Sequence, residues 1–240
     1  MIEVTGLSKR FANKHVLKGL EITVTPGEIV ALLGANGAGK TTLLRILAAL
    51  SNPTLGKIKI GGHALPAEAA AARGRIGFLG HKTLLYSDLS AEQNLLFCSR
   101  LYGIQNANSR VDEVLELVNL FRRKRDPVRI FSRGMLQRLS IGRAILHNPQ
   151  VLLLDEAHTG LDQDSAAMLN ELLRSLSKEG ATILMASHDL DRVSELAYRV
   201  DVLVSGRIAA SRSKSEKSSS SLAQFYADAL QSEKRGPRGN

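Results

Sequence analysis

The residues best equipped for chemistry sit in one stretch, Gly34-Ala35-Asn36-Gly37-Ala38-Gly39-Lys40-Thr41, followed directly by Thr42. It fits the spacing G-x-x-x-x-G-K-[ST] and lies between the apolar run Ile29 to Leu33 and the helix-like segment Thr42 to Leu50. A strand, a glycine loop and a helix start in that order make a phosphate cradle. Glycines let backbone N–H groups approach phosphate oxygens, and the helix adds unpaired N–H donors and the positive end of its dipole. Lys40 is placed to meet β and γ phosphates, and Thr41 to hold Mg²⁺. A plain strand-to-helix turn needs one or two glycines and has no use for Lys-Thr at the helix start.

A second group of chemically able residues closes two apolar runs. Val151 to Leu154 ends in the carboxylate pair Asp155-Glu156, and Ile183 to Ala186 ends in Ser187-His188-Asp189. Asp155 can hold Mg²⁺ directly or through water, while Glu156, pointing elsewhere, can polarise a water against a γ-phosphate. His188 can donate a hydrogen bond to that phosphate, although a lone histidine at a strand end is otherwise a structural residue. These roles require the strands to be parallel, with their C-terminal ends beside the cradle. Continuous apolar runs separated by a helix, here from about Asp164 to Lys178, read as strands buried on both faces.

The elements around these residues follow from local pattern. Ile2 to Val4 and Val16 to Val24 read as strands flanking a loop that carries Phe11. An aromatic ahead of a phosphate loop can stack on a purine, but by itself Phe11 reads more simply as core. Lys57 to Ile60 is an alternating strand ending at Gly61-Gly62, and Ile76 to Leu79 another, ending at Gly80-His81. Some seventy residues then turn helical, which predicts an inserted lobe over about 85–150. Ser90 to Gln93 is a capping box opening a helix through Leu101. Val111, Val114, Leu115, Val118 and Leu120 supply the face of the next, and Asn148-Pro149 stops a third that begins at Arg133. Val200 to Val204, Gly206 and Ile208 read as a closing hairpin. Serine and charge dominate after Ala210, which predicts a flexible tail over 211–240 with at most a short helix at Leu222 to Leu230.

Composition limits the classes. The 240 residues carry a formal charge of +9, which invites a nucleic-acid reading. The basic residues are spread, however: residues 212–238 hold six Lys or Arg against three acids, and Arg122-Arg123-Lys124-Arg125 follows a helix whose negative end it suits. Neither run is interleaved with aromatics as a base-stacking surface is. A solvated face, or one near anionic lipid headgroups, accounts for them, so no specific nucleic acid is expected. One cysteine, Cys98, within Leu95-Leu96-Phe97-Cys98, allows no internal disulfide and reads as a buried small hydrophobe in a reducing compartment. No apolar run is long enough to span a bilayer, and Met1-Ile2-Glu3-Val4 starts as a strand rather than a leader, so the expected location is the cytoplasm.

At Phe131-Ser132-Arg133-Gly134-Met135 the chain resembles the ATP-binding-cassette (ABC) ATPases, over roughly residues 1–210. That family carries in fixed order an adenine-stacking aromatic, a glutamine loop, a Leu-Ser-Gly-Gly-Gln signature, a strand-end Asp-Glu, a Leu-Asp loop and a switch histidine. Phe11, His81, Phe131 to Met135, Asp155-Glu156, Leu161-Asp162 and His188 stand in those places. The resemblance implies a P-loop α/β fold with a mostly parallel core sheet, an N-terminal antiparallel region and the helical lobe. It implies ATP and Mg²⁺ held between two heads: Phe11, Gly34, Asn36, Gly37, Ala38, Gly39, Lys40, Thr41 and Thr42 from one, Ser132 and Gly134 from the other, with Asp162 at the joint. Thr41, Asp155 and, through water, His81 would serve the metal; Glu156, His188 and Lys40 would carry catalysis.

The departures are His81 for glutamine, Arg133 for glycine, Met135 for glutamine and Ala157 for proline. With Gly80 to Tyr86 and Asn94 to Gly103, they are similar to the ATP-binding subunit of bacterial haem exporters of cytochrome c maturation. That implies a second cassette, most simply a homodimer, separate transmembrane subunits, and a peripheral place on the cytoplasmic face of the inner membrane. Other small-molecule or lipid exporters are the alternative, and a non-transport cassette the lesser one. A nucleic-acid maintenance ATPase needs a long coiled-coil insertion that the interval from Lys40 to Asp155 cannot hold. A paired-cassette translation regulator needs two cradles in one chain.

Overall fold

The computed structural model describes residues 1–215 and 220–235. The chain opens with a long hairpin, β1 (Ile2–Phe11) and β2 (Lys14–Val24), so the expected loop around Phe11 is a two-residue turn and Phe11 is the last residue of a strand. The short-strand reading failed because Gly6 and Gly19, at φ +63° and +64°, look like breaks but absorb register shifts inside continuous strands. β3 (Ile29–Leu33) then enters the glycine loop and α1 (Lys40–Leu47). Next come β4 (Leu55–Ile60), β5 (His63–Leu65), the short α2 (Ala69–Arg73) and β6 (Ile76–Leu79).

The helical stretch holds α3 (Ala91–Leu101), α4 (Ala107–Leu117) and α5 (Arg133–Ile145), with two single 3₁₀ turns before α5. The Ser90 and Gln93 side chains complete the expected capping box. The basic cluster does not serve a helix end. It lies past α4, where Lys124 bridges Asp112 at 2.7 Å and Glu92 at 3.4 Å, tying α4 to α3. The chain closes with β7 (Val151–Asp155), α6 (Gln163–Lys178), β8 (Thr182–Ser187), α7 (Leu190–Leu196), β9 (Arg199–Val204), β10 (Arg207–Ser213) and α8 (Leu222–Arg235).

Two sheets result. An antiparallel sheet runs β2-β1-β4-β5, and a six-stranded sheet runs β10-β9-β3-β8-β7-β6, parallel except where β10 pairs with β9. The central strands are apolar throughout because alternate residues enter different cores. Ile29, Ala31 and Leu33 face the side covered by α6 and the helical lobe, while Val30 and Leu32 face the side holding α1 and the antiparallel sheet. Val111, Val114, Leu115 and Leu139 of the lobe belong to the first of these cores, so the lobe shares its apolar interior with the sheet.

Among the described residues, the flexible tail expected over 211–240 is corrected at its start, which belongs to β10, and the short helix expected at Leu222 to Leu230 is present and runs on to Arg235. Ser211, Arg212 and Ser213 pair with Asp201, Val200 and Arg199, and α8 packs on β9 and β10. Average composition concealed the spacing of Leu222, Phe225, Tyr226 and Ala229, which puts four apolar side chains on one helical face. Arg212 fastens the return, donating to the Ser220 carbonyl at 3.0 Å with its guanidinium over the Phe225 ring. The remaining tail positions, 216–219 and 236–240, lie outside the described residues. Cys98, expected to be buried, is half-buried against the lobe core, and its burial raises the thiol pKa. Among the described residues no helix is long and apolar enough to cross a membrane.

Candidate nucleotide site

Four adjacent parallel strands converge on one cleft. β3 leads into the glycine loop, β8 ends at Ser187 before His188, β7 ends at Asp155 before Glu156, and β6 ends before Gly80-His81. Their ends are level, since Leu33 pairs with Ser187, Asp155 with Ala186 and Leu79 with Leu154. A cleft of about 580 Å³ opens there, lined by Phe11, Asn36, Gly37, Gly39, Lys40, Thr41, Thr42, His81, Asp155, Glu156 and His188. Lys14, Val16, Ala35 and Thr159 complete its wall. A larger groove at the opposite strand ends, between α4 and α6, contains none of these residues.

The glycine loop is shaped for a ligand. Gly37 and Gly39 have φ of +82° and +114°, and no side chain caps the start of α1, leaving its first N–H groups directed at the cleft. The Lys40 ammonium is folded back, donating to the Gly34 carbonyl at 2.5 Å, with the Ala35 carbonyl 3.5 Å away. Gly34 and Ala38 do not line the cleft. A Cβ on Gly34 would lie 2.5 Å from the Leu203 carbonyl oxygen, and Ala38 is buried in the core beneath the loop. Phe11, by contrast, is not core: it is 51% exposed at the cleft mouth, with the Lys9 ammonium 4.7 Å from its ring centre.

The two carboxylates occupy different environments. Asp155 is 2% exposed in its side chain, both its oxygens lack a hydrogen-bond partner, and His81 Nε2 lies 3.5 Å from Oδ2. A buried carboxylate without hydrogen bonds is costly unless a cation joins it, and hard divalent cations such as Mg²⁺ take oxygen ligands of this kind. Among the described residues no group of three or more His, Cys, Asp and Glu is placed to hold a metal ion by itself. Asp155 and Thr41 are cleft residues whose oxygens could hold such an ion, with waters and phosphate oxygens completing its shell. Glu156 instead has a left-handed backbone, φ +57°, and its Oε2 lies 2.8 Å from Nδ1 of the exposed His188.

Ser132, Gly134 and Asp162 are not brought into this cleft. Ser132 is exposed at the N-terminus of α5, where its Oγ accepts from the Met135 amide at 3.3 Å. Asp162 caps α6, accepting from the Ser165 amide at 2.8 Å. Sequence reasoning missed Gln137, whose Nε2 donates to the Ala157 carbonyl at 2.8 Å, and buried His158, whose Nε2 lies 2.8 Å from Asn170 Oδ1. Burial holds the His158 pKa below its ordinary value. The available signal was spacing: Gln137 is one helical turn past Arg133, and His158 follows the carboxylate pair.

The family model for the ABC transporter matches residues 17–159, which span the cradle, the exposed Ser132 and the carboxylate pair. The chain belongs to the ABC transporter family. It is accordingly an ATPase, and the cleft is that of an ATP-binding cassette. It is 40% identical over 239 residues to the daunorubicin resistance ATP-binding protein DrrA3 of Streptomyces coeruleorubidus, covering 99% of this chain and 72% of that one. It is 38% identical to the Nod factor export ATP-binding protein I of Burkholderia thailandensis, covering 86% and 68%. Among solved structures, the ATP-binding subunit of an ABC transporter superposes with a TM-score of 0.89 at 29% identity, covering 95% and 99%. A dimeric bacterial ABC transporter cassette gives 0.82 at 25% identity, covering 89% and 98%.

Proposed function

We propose that this chain is the ATP-hydrolysing subunit of an exporter, working head to tail with a second copy beneath separate membrane-spanning subunits on the cytoplasmic face of the inner membrane. The observation that carries this reading is a divided site. The cradle, Asp155, Glu156 and His188 share one cleft, whereas Ser132 and Gly134 stand outside it at the start of α5. A second cassette facing the cleft would bring its own Ser132 and Gly134 onto the γ-phosphate, and the dimeric relative supports that pairing.

Within the pair, phosphates would draw the Lys40 ammonium away from the Gly34 carbonyl. Phe11 would stack on the adenine. Glu156 would accept the proton of the attacking water, and His188 would hold that carboxylate and donate to the γ-phosphate. Thr41 and Asp155 would hold Mg²⁺, with His81 at its edge; the ion neutralises phosphate charge as it builds.

Contact with membrane subunits has a candidate surface beside His81. Leu84 and Tyr86 follow that loop in the chain with exposed side chains, and Tyr86 meets the exposed Phe97 edge to face. For cargo, the motif resemblance points to haem, whereas the relatives' names speak of daunorubicin resistance, linearmycin resistance and Nod factor export. These names favour the wider reading of a small-molecule exporter. Purification of the chain from membranes tests the proposal: a membrane-spanning polypeptide should copurify in fixed ratio, and the complex's ATPase should be stimulated by its cargo. Haem and daunorubicin separate the two cargo readings. Recovery of the chain free of any membrane protein would overturn the transport assignment.

A further inference from the structure

The loop from Ala157 to Asp162 follows Glu156, and α5 grips it at two points. Arg133 and Gln137 stand four residues apart on α5, so their side chains leave one face of the helix. Gln137 Nε2 donates to the Ala157 carbonyl at 2.8 Å. Arg133 lies over Gly160, where φ is +82° and an added Cβ would come within 2.7 to 3.0 Å of the Arg133 Nε, Cδ and Cγ atoms. On the far side the loop is anchored by His158, whose partner Asn170 in turn donates to Glu195 of α7 at 3.4 Å. Glu156 itself sits in a backbone conformation that a residue with a side chain keeps only where its surroundings fix it.

α5 is also the helix that begins with Ser132 and Gly134. The hydrogen bond from Gln137 therefore joins the residue beside one chain's Glu156 to the helix that would face the other chain's nucleotide. We propose that Gln137 is a positioning residue, holding the backbone next to the general base in register with the signature helix, so that seating Ser132 on one nucleotide orients the base acting on the other. This rests on the proposed roles of Glu156 and of the paired cassette.

The test uses the full chain with Gln137→Met, which keeps side-chain length and removes the donor, and Gln137→Lys, which restores one. Gln137→Met should lower kcat about tenfold while KM for ATP stays within about twofold, and Gln137→Lys should recover most of the loss. In a Glu156→Gln background, Gln137→Met should leave ATP-dependent dimerisation intact, because Ser132 and Gly134 remain in place. If Gln137→Met does not fold, Gln137→Glu repeats the comparison with a near-isosteric side chain lacking the donor. An unchanged kcat, a loss confined to KM, or a dimer lost along with activity would each overturn the proposal. Failure of the underlying reading is separately visible: Glu156→Gln alone would then hydrolyse ATP at the parental rate.

Discussion

The strand ends at the cleft and the frame of the helical lobe treat polar groups in opposite ways. In the lobe, buried Asn94 accepts from the Tyr86 amide at 2.8 Å and donates to the carbonyls of Tyr86 and Ser90 at 3.0 and 2.9 Å. At the cleft, Asp155 is as deeply buried and has no hydrogen-bond partner, and Glu156 carries a left-handed backbone. A satisfied buried amide contributes to stability, whereas an unpaired buried carboxylate costs stability until a cation arrives. The lobe's polar groups thus hold the fold, and those of the cleft are held by the fold for a ligand.

That contrast breaks if cleft variants unfold the protein or lobe variants abolish ATP binding. The largest effect is expected from Glu156→Gln, which should slow hydrolysis by about 10² or more, with ATP binding and melting temperature nearly unchanged. Single-turnover assays with calorimetry decide it, and a rate within a few-fold of the parent removes Glu156 as the base. Asn94→Ala should cost about 2 kcal/mol in denaturant unfolding by leaving the Tyr86 amide without its acceptor, although the Tyr86 carbonyl keeps the Leu89 amide, while the ATP affinity of the folded fraction is kept.

An effect of similar size separates the regions by pH. His147 stacks on Tyr102 with ring centres 3.8 Å apart, its Nε2 lies 3.1 Å from the Ile76 carbonyl, and burial pushes its pKa down to about 4. Arg110 and Arg143 oppose its charging as well. The unfolded chain therefore takes up this proton first, so the contribution is complete above the unfolded pKa of about 6.5 and is lost as pH falls toward 4. Over that window about 2 kcal/mol should disappear, and His147→Phe, which preserves a ring against Tyr102, should flatten the slope of melting temperature against pH. An unaltered slope would assign the acid sensitivity elsewhere. Smallest is Asp155→Asn, expected to stabilise the nucleotide-free protein by about 1 kcal/mol while weakening Mg²⁺-dependent ATP binding. A melting temperature below the parent's would show that the Asp155 carboxylate is satisfied after all.

What the sequence determined by itself was local. The spacing from Gly34 to Thr41 dictates a glycine loop before a helix, and unbroken apolar runs ending in Asp155-Glu156 and Ser187-His188 dictate strands buried on both faces, because these signals reside in neighbouring residues. Tertiary structure alone decided which strand ends meet, that Lys40 rests on the Gly34 carbonyl, and that Phe11 is at the cleft mouth rather than in the core. It also decided that Gln137 reaches Ala157 across the join of two elements, and that the segment from Leu222 packs through Phe225 and Tyr226. The physical reason is the range of the interactions: propensity and periodicity act within a turn or a strand, whereas burial and hydrogen-bond satisfaction depend on segments far apart in the chain.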